Sequence, residues 1–194
     1  VPAGSYNIVA RPPSGATIAT LTLFATNVNG DLSLGTIALP DGVVVSGRVT
    51  SSSGVGIFDV DLDFDDRKGN RVNTPNDQTS STGAYSVIVP VGRYTVSFQP
   101  PAGTHSVGVR RTAVDIAGAT TLNVALPTGF AISGTVLDGG GQPVVNAALD
   151  VIDAVTRVRL YTPGDKTDST GAYRVVVPAG TYDLNFDPPQ GSTL

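Results

Sequence analysis

The chain contains no cysteine, no methionine and no tryptophan, and because glutamate is missing as well, all 16 of its acidic residues are aspartate. It has one histidine, and aromatic residues make up only 6% of it. Without cysteine there are no disulfides. Without cysteine or methionine the main oxidisable side chains are gone, which suits long service outside a cell. Aspartate is a poor interior helix former, whereas Val, Thr, Gly and Pro favour strands and turns, so the residue choice disfavours helix. No stretch shows a 3.6-residue period. Basic residues are scarce too: 12 Lys and Arg against 16 acids give a net charge of −4 and a pI near 4.7. Arg110-Arg111 is the densest basic spot, and a pair offers too little to neutralise the phosphates of nucleic acid or of an anionic membrane. No apolar run approaches the roughly 18 residues of a membrane span. No charged-then-apolar leader opens the chain, which reads as mature or excised.

What is present is 23 glycines, 14 prolines, 22 threonines and 15 serines in a chain of 194 residues that is 40% hydrophobic and 14% charged. That is the composition of a folded protein with real cores. The hydroxyls would suit O-linked sugar, but no Asn-x-Ser/Thr sequon occurs.

Three phrases organise the chain. VPAGSY begins at Val1, VPVGRY at Val89 and VPAGTY at Val177, each 88 residues after the last and each leading to a diproline loop, RPPSG, QPPAG or DPPQG. VVVSGRVT (Val43 to Thr50) recurs as FAISGTVL (Phe130 to Leu137), STGAYSVIVP as STGAYRVVVP, and TIALP as NVALP, at offsets of 87 or 88. A period this long makes each copy a small domain with its own core. Residues 1–40 are then the C-terminal part of one repeat, 41–127 a complete repeat, and 128–194 the N-terminal and middle part of the next.

Within 41–127, short alternating runs bounded by Gly, Pro, Asn and Asp predict strands near Val43–Thr50, Phe58–Asp65, Arg71–Thr74, Ala84–Val89, Arg93–Gln99, Ser106–Asp115 and Thr120–Leu126. Seven short strands without helix predict an all-β, antiparallel sandwich. Tyr85, Val87, Tyr94, Val96 and Phe98 should face inward. STGAY supplies a tight turn, and VPVG a bend where proline costs no ladder bond.

The run SGTVLDGGGQPVVNAALDVID followed by TDSTGAYRVVVPAGTYDLNFDPP resembles the carboxypeptidase regulatory-like domain. The opening SGxV strand, the GxP loop, the DxxGxY turn and the VPAGxY bend stand in that family's order. The middle copy departs at the GxP loop, where Gly56 replaces proline. The resemblance implies a prealbumin-like, Ig-like Greek-key sandwich used as a spacer or adhesion module in secreted and cell-surface proteins.

Several side chains invite a chemical reading. Asp59, Asp61, Asp63 and Asp65 alternate with apolar residues, so a strand would set all four carboxylates on one face. Calcium wants several hard oxygens, but one strand spaces them too widely for a single ion, and a solvated acidic face is the expectation. Asp77, Asp165 and Asp168 lie in loops without calcium-loop order and read as turn residues. His105 is expected in an exposed loop, without a nucleophile elbow anywhere to partner it. DGGGQP lacks the pattern of a phosphate cradle and reads as a hairpin loop. Collagen-adhesin B-type repeats resemble this fold and carry Lys–Asn cross-links, yet Lys68 and Lys166 fall in predicted loops, so no cross-link is expected.

The sequence therefore points to a non-enzymatic structural protein without cofactors: tandem sandwiches forming an extracellular stalk, fibre or filament, with copies of itself as head-to-tail partners. The alternative is a carbohydrate-binding or adhesion module. Most Tyr and Phe fall on predicted core positions, leaving Tyr161 as the best exposed sugar platform. Residues 1–40 lack their opening strands, and 128–176 could supply them from another chain. Because 177–194 duplicates 1–18 and would compete for one place, a continuous polypeptide with these residues as a window is favoured over strand donation.

Overall fold

The computed structural model describes residues 1–13, 15–189 and 191–192, which form β-strands and no helix. The chain divides into two compact units. One comprises Val1–Thr50, Val55–Phe98 and Arg110–Val124, and the other Ser51–Gly54, Gln99–Val109 and Ala125–Leu194.

In the first unit, β1 (Gly4–Ala10) and β2 (Leu21–Val28) form an antiparallel hairpin with a bulge between Tyr6 and Ile8. β3 (Gly42–Ser51) pairs antiparallel with β6 (Ala84–Pro90), from Gly42 opposite Pro90 to Arg48 opposite Ala84. The other edge of β3 takes β9 (Thr120–Thr121) and β10 (Val124–Leu126). A second sheet runs in the order β5 (Arg71–Val72), β4 (Asp61–Asp65), β7 (Gly92–Gln99), β8 (Val109–Ile116). Alternation delivers the core. Val45 and Val49 of β3, Tyr85, Val87 and Val89 of β6, Leu62 and Phe64 of β4, and Tyr94, Val96 and Phe98 of β7 are all buried. The edge of the Tyr85 ring meets Phe98 at 6.3 Å between centroids, which ties β6 of one sheet to β7 of the other.

Three expectations need correction. The strand expected from Phe58 starts only at Asp61, because Asp59 has left-handed backbone (φ 59°) and cannot extend a ladder. The strand expected over Thr120–Leu126 is broken in two, and its first part runs parallel to β3, with Val45 opposite Thr120. The strand expected from Ser106 begins at Val109.

In the second unit, β11 (Phe130–Thr135) pairs with β13 (Ala172–Val177), and β12 (Ala148–Asp153) with β14 (Tyr182–Asp187), both antiparallel. Leu149, Val151, Val175 and Val177 form its buried core, with Ile132, Leu160, Tyr173 and Tyr182 packed around them.

Backbone irregularities recur at the sequence offset. Ala25 and Ala113, both left-handed, are 88 residues apart, as Asp59 and Asn146 are 87 apart. Asn76 and Arg157, also left-handed, match Gly164 and Gly69 at 88. These conformations are costly for residues with a Cβ, so their recurrence reflects one path of the chain followed twice.

Candidate functional site

The phrase VPxGxY builds a specific brace. The Tyr6 hydroxyl donates to Pro2 O (2.7 Å), Tyr94 to Pro90 O (2.7 Å) and Tyr182 to Pro178 O (2.9 Å). Each ring lies back over the intervening glycine: a Cβ on Gly4, Gly92 or Gly180 would come within 3.4, 3.0 or 2.7 Å of the phenol oxygen. This is the tyrosine-corner arrangement of β-sandwiches. Burial raises the pKa of Tyr94 and Tyr182, helped by the charges of Asp66 and Asp153.

A second brace lay unread in the sequence. The buried Thr79 hydroxyl donates to Ile57 O (2.7 Å) and accepts from Val60 N–H (2.9 Å). Thr167, 88 residues on, does the same with Val144 O (2.6 Å) and Ala147 N–H (2.9 Å). The signal was the shared threonine of DQTSSTG and DKTDSTG.

The aspartates are bound into the scaffold. Asp59 lies outside the strand, and Asp61 accepts from Gln78 (3.0 Å). Asp63 is buried rather than solvated and pairs with Arg71, which also donates to Asp65 at 2.8 Å. The expected solvated face therefore does not form: Arg71 on the neighbouring β5 neutralises two of its members. Arg159 and Asp150 repeat the pair at 2.5 Å. Burial raises the pKa of Asp63 despite Arg71, and that of Asp77 despite the Thr74 hydroxyl at 2.6 Å. At turns the shift is opposite. Donors from Thr156 lower Asp153 and donors from Thr170 lower Asp168, while in Asp66 donors from Asn70 and Lys68 outweigh desolvation. Among the described residues, no three His, Cys, Asp or Glu side chains converge as metal ligands.

Tyr161 is half-buried, its ring edge 3.2 Å from where a Cβ on Gly108 would stand, so it is no open platform. His105 is exposed, Lys68 sits in a turn capped by Asp66, and Lys166 is exposed beside Ala148. Phe64 and Phe98 are buried, but Phe24, Phe58, Phe130 and Phe186 are exposed, contrary to the expectation that most Phe are core. Phe58 stands in the segment that Asp59 keeps out of β4, and Phe186 belongs to a sheet of only two strands.

The structure also brings together a joint that recurs. In the first unit, Ala19 N–H donates to Pro40 O and Gly42 N–H to Thr17 O, both at 2.9 Å, bridging Ile18 and Asp41. In the second, Val107 N–H donates to Pro127 O (2.8 Å) and Gly129 N–H to His105 O (2.7 Å), bridging Ser106 and Thr128. The glycine is required at both. A Cβ on Gly42 would strike Ile88 and approach Ala19 N at 3.0 Å, and one on Gly129 would lie 2.6 Å from a Val107 methyl. Beside each joint, a diproline loop walls a groove of about 260 Å³ (Pro12, Pro13, Asn76, Ser86, Ile88) or about 280 Å³ (Pro100, Pro101, Gly164, Arg174, Val176). Every pair in these two linings is 88 residues apart. Side-chain braces differ: Arg11 donates to Asn73 Oδ1 (3.2 Å) at one joint, Arg174 to Thr104 O (3.0 Å) at the other.

No protein-family model and no curated protein matches the chain, so the carboxypeptidase regulatory-like resemblance is carried by the quoted words alone. Three solved structures similar to it come from bacteria. The Bacillus anthracis TIE protein is 15% identical with a TM-score of 0.34, covering 89% of this chain, which spans about a third (32%) of that protein. A Streptococcal ancillary pilin is 14% identical at TM-score 0.36, covering 98% of this chain and 68% of its own. A shaft pilin of Lactobacillus rhamnosus GG is 10% identical at TM-score 0.32, covering 77% and 89%. Similarity at this level carries no inference about activity.

Proposed function

We propose that this chain is a structural, extracellular protein: a tandem array of prealbumin-like β-sandwiches of about 88 residues, joined as a stalk or filament on a microbial surface. On this reading 1–40, 41–127 and 128–194 are successive repeats, the middle one whole, and the array's partners are copies of itself. The observation that carries it is the joint. Two backbone hydrogen bonds, one glycine and one diproline wall recur at offsets of 87 or 88, while the polar side chains beside them change from Ser86 to Arg174 and from Asn76 to Gly164. A ligand site would be expected to keep its polar groups and vary its scaffold. Here the scaffold is kept. In a linear array, stiffness comes from such nearest-neighbour contacts. Electron microscopy of native material tests the reading: straight filaments or stalks many repeats long are expected, and isolated globular particles contradict it.

A further inference from the structure

The two joint grooves share their walls, yet four lining positions change together in the second. Ser106 stands where the first has Ile18, Arg174 where it has Ser86, Gly164 where it has Asn76 and Gly108 where it has Thr20, each 88 residues on. The diproline wall and the facing proline, Pro75 or Pro163, are kept. Asn76 (φ 56°) and Gly164 (φ 72°) make the same left-handed turn, so glycine there is not needed for the backbone and removes a side chain from the lining. Gly108 lets the Pro163 ring close in, since a Cβ would lie 2.8 Å from it. The second groove has thus gained a hydroxyl and a guanidinium among proline walls.

Arg174 is half-buried, and one of its N–H groups donates to Thr104 O (3.0 Å), which holds the fork at the groove. Among the described residues no carboxylate pairs with it, although Arg157 and Arg159 of the same unit each take an aspartate, and Arg159 also takes Asp165 beside Gly164. A guanidinium drawn partly out of water without a counter-ion favours a planar anion. The opening does not depend on any further stretch of chain. Among the described residues, the whole repeat 41–127 adds nothing from its closing segment 107–127 to the first groove, which is open, and the second draws on the corresponding positions.

We propose that the groove of Pro100, Pro101, Pro163 and Arg174 binds a uronic acid unit of an acidic polysaccharide. The sugar carboxylate takes the remaining N–H groups of the Arg174 fork. Proline rings offer CH surface to the apolar face of the sugar, and no aromatic ring lines the groove to stack a flat aromatic acid instead. Ser106 and Thr104 supply hydroxyls for those of the sugar; the Thr104 hydroxyl donates to Pro101 O and keeps lone pairs to accept. Few polar groups in a mostly apolar concavity is the usual make-up of a small-ligand site. A volume of about 280 Å³ suits one ring, with the rest of the polymer outside. The joint is scaffold in both copies and has become a site in one. This site goes beyond the stalk reading and does not rest on it.

Titration of the 194-residue chain with the methyl glycosides of glucuronic and galacturonic acid, followed by backbone amide NMR, tests this. At least one should saturate, with shifts centred on residues 99–108, 163–164 and 174–176, and binding should weaken as salt is raised. The neutral methyl glucoside and galactoside should leave the spectrum unchanged. Arg174→Gln should weaken binding about tenfold or more, the effect of losing a hydrogen bond to a charged group. Arg174→Lys, which keeps the charge without the fork, should fall between, and Ser86→Arg in the other groove should change nothing at this one. The location of the wild-type shifts keeps the test decisive if Arg174→Gln fails to fold. No saturation by either acid, equal binding of the neutral sugars, shifts centred elsewhere, or a folded Arg174→Gln that binds like wild type overturns the proposal.

Discussion

The Tyr94 hydroxyl donates a 2.7 Å hydrogen bond to the carbonyl of Pro90, four residues upstream, with the ring folded over Gly92. Proline ends β6, glycine admits the ring, and tyrosine fixes the angle at which β7 departs. All three copies of VPxGxY keep the proline, glycine and tyrosine that make this corner.

Tyr94→Phe should therefore lower stability by about 1–2 kcal/mol, the worth of a partly buried hydrogen bond plus an acceptor left unpaired. Gly92→Val should cost about 1–3 kcal/mol through overpacking against the ring. Urea unfolding measures both, and two unmoved midpoints would refute the brace.

Thr79→Val keeps the shape and deletes the hydroxyl that serves both Ile57 O and Val60 N–H. It should cost about 1–3 kcal/mol, and Thr167→Val the same, while Thr→Ser at either site should cost less. Equal losses for Ser and Val would show that the methyl, not the hydroxyl, matters.

Phe98→Ala should cost about 3–5 kcal/mol, as for a fully enclosed aromatic. Phe186→Ala, at 39% exposure, should cost only about 1–2 kcal/mol in dilute solution, where apolar area already wet is not lost. Comparable losses would contradict this difference in burial.

Asp63 gives a pH signature. Burial raises its folded pKa above the ordinary 3.8, so the folded state binds the proton more readily than the unfolded chain. Stability from this group then rises as pH falls through the raised pKa and levels off below the unfolded value. Wild type should gain on Asp63→Asn as pH drops from neutral into the carboxylate range, read from paired urea midpoints. A wild type that loses ground instead would mean that Arg71 outweighs burial.

Strand positions were largely legible in the sequence because alternation reports which face is buried, and YTVSFQ shows it plainly with Tyr94, Val96 and Phe98 all enclosed. Turns were legible through their glycines. Asp59 was misread because alternation persists in letters after the backbone has turned left-handed, and Asp63 because its partner Arg71 comes from the next strand. The Thr79 brace went unread because its three members are joined only by the fold, although the threonine shared by DQTSSTG and DKTDSTG marked its place. The joint lay in plain words, ALPDG and ALPTG, but its glycine's role needed the neighbouring strand to be in place.

Solution X-ray scattering on an in-frame array of several 88-residue repeats, compared with the same array carrying valine at every glycine equivalent to Gly42 and Gly129, tests the central claim most directly. The account predicts a straight rod whose length grows in proportion to repeat number, and a shorter, flexible chain once the joint glycines are filled. Identical scattering from both arrays, or a wild-type array as flexible as beads on a loose string, would contradict it.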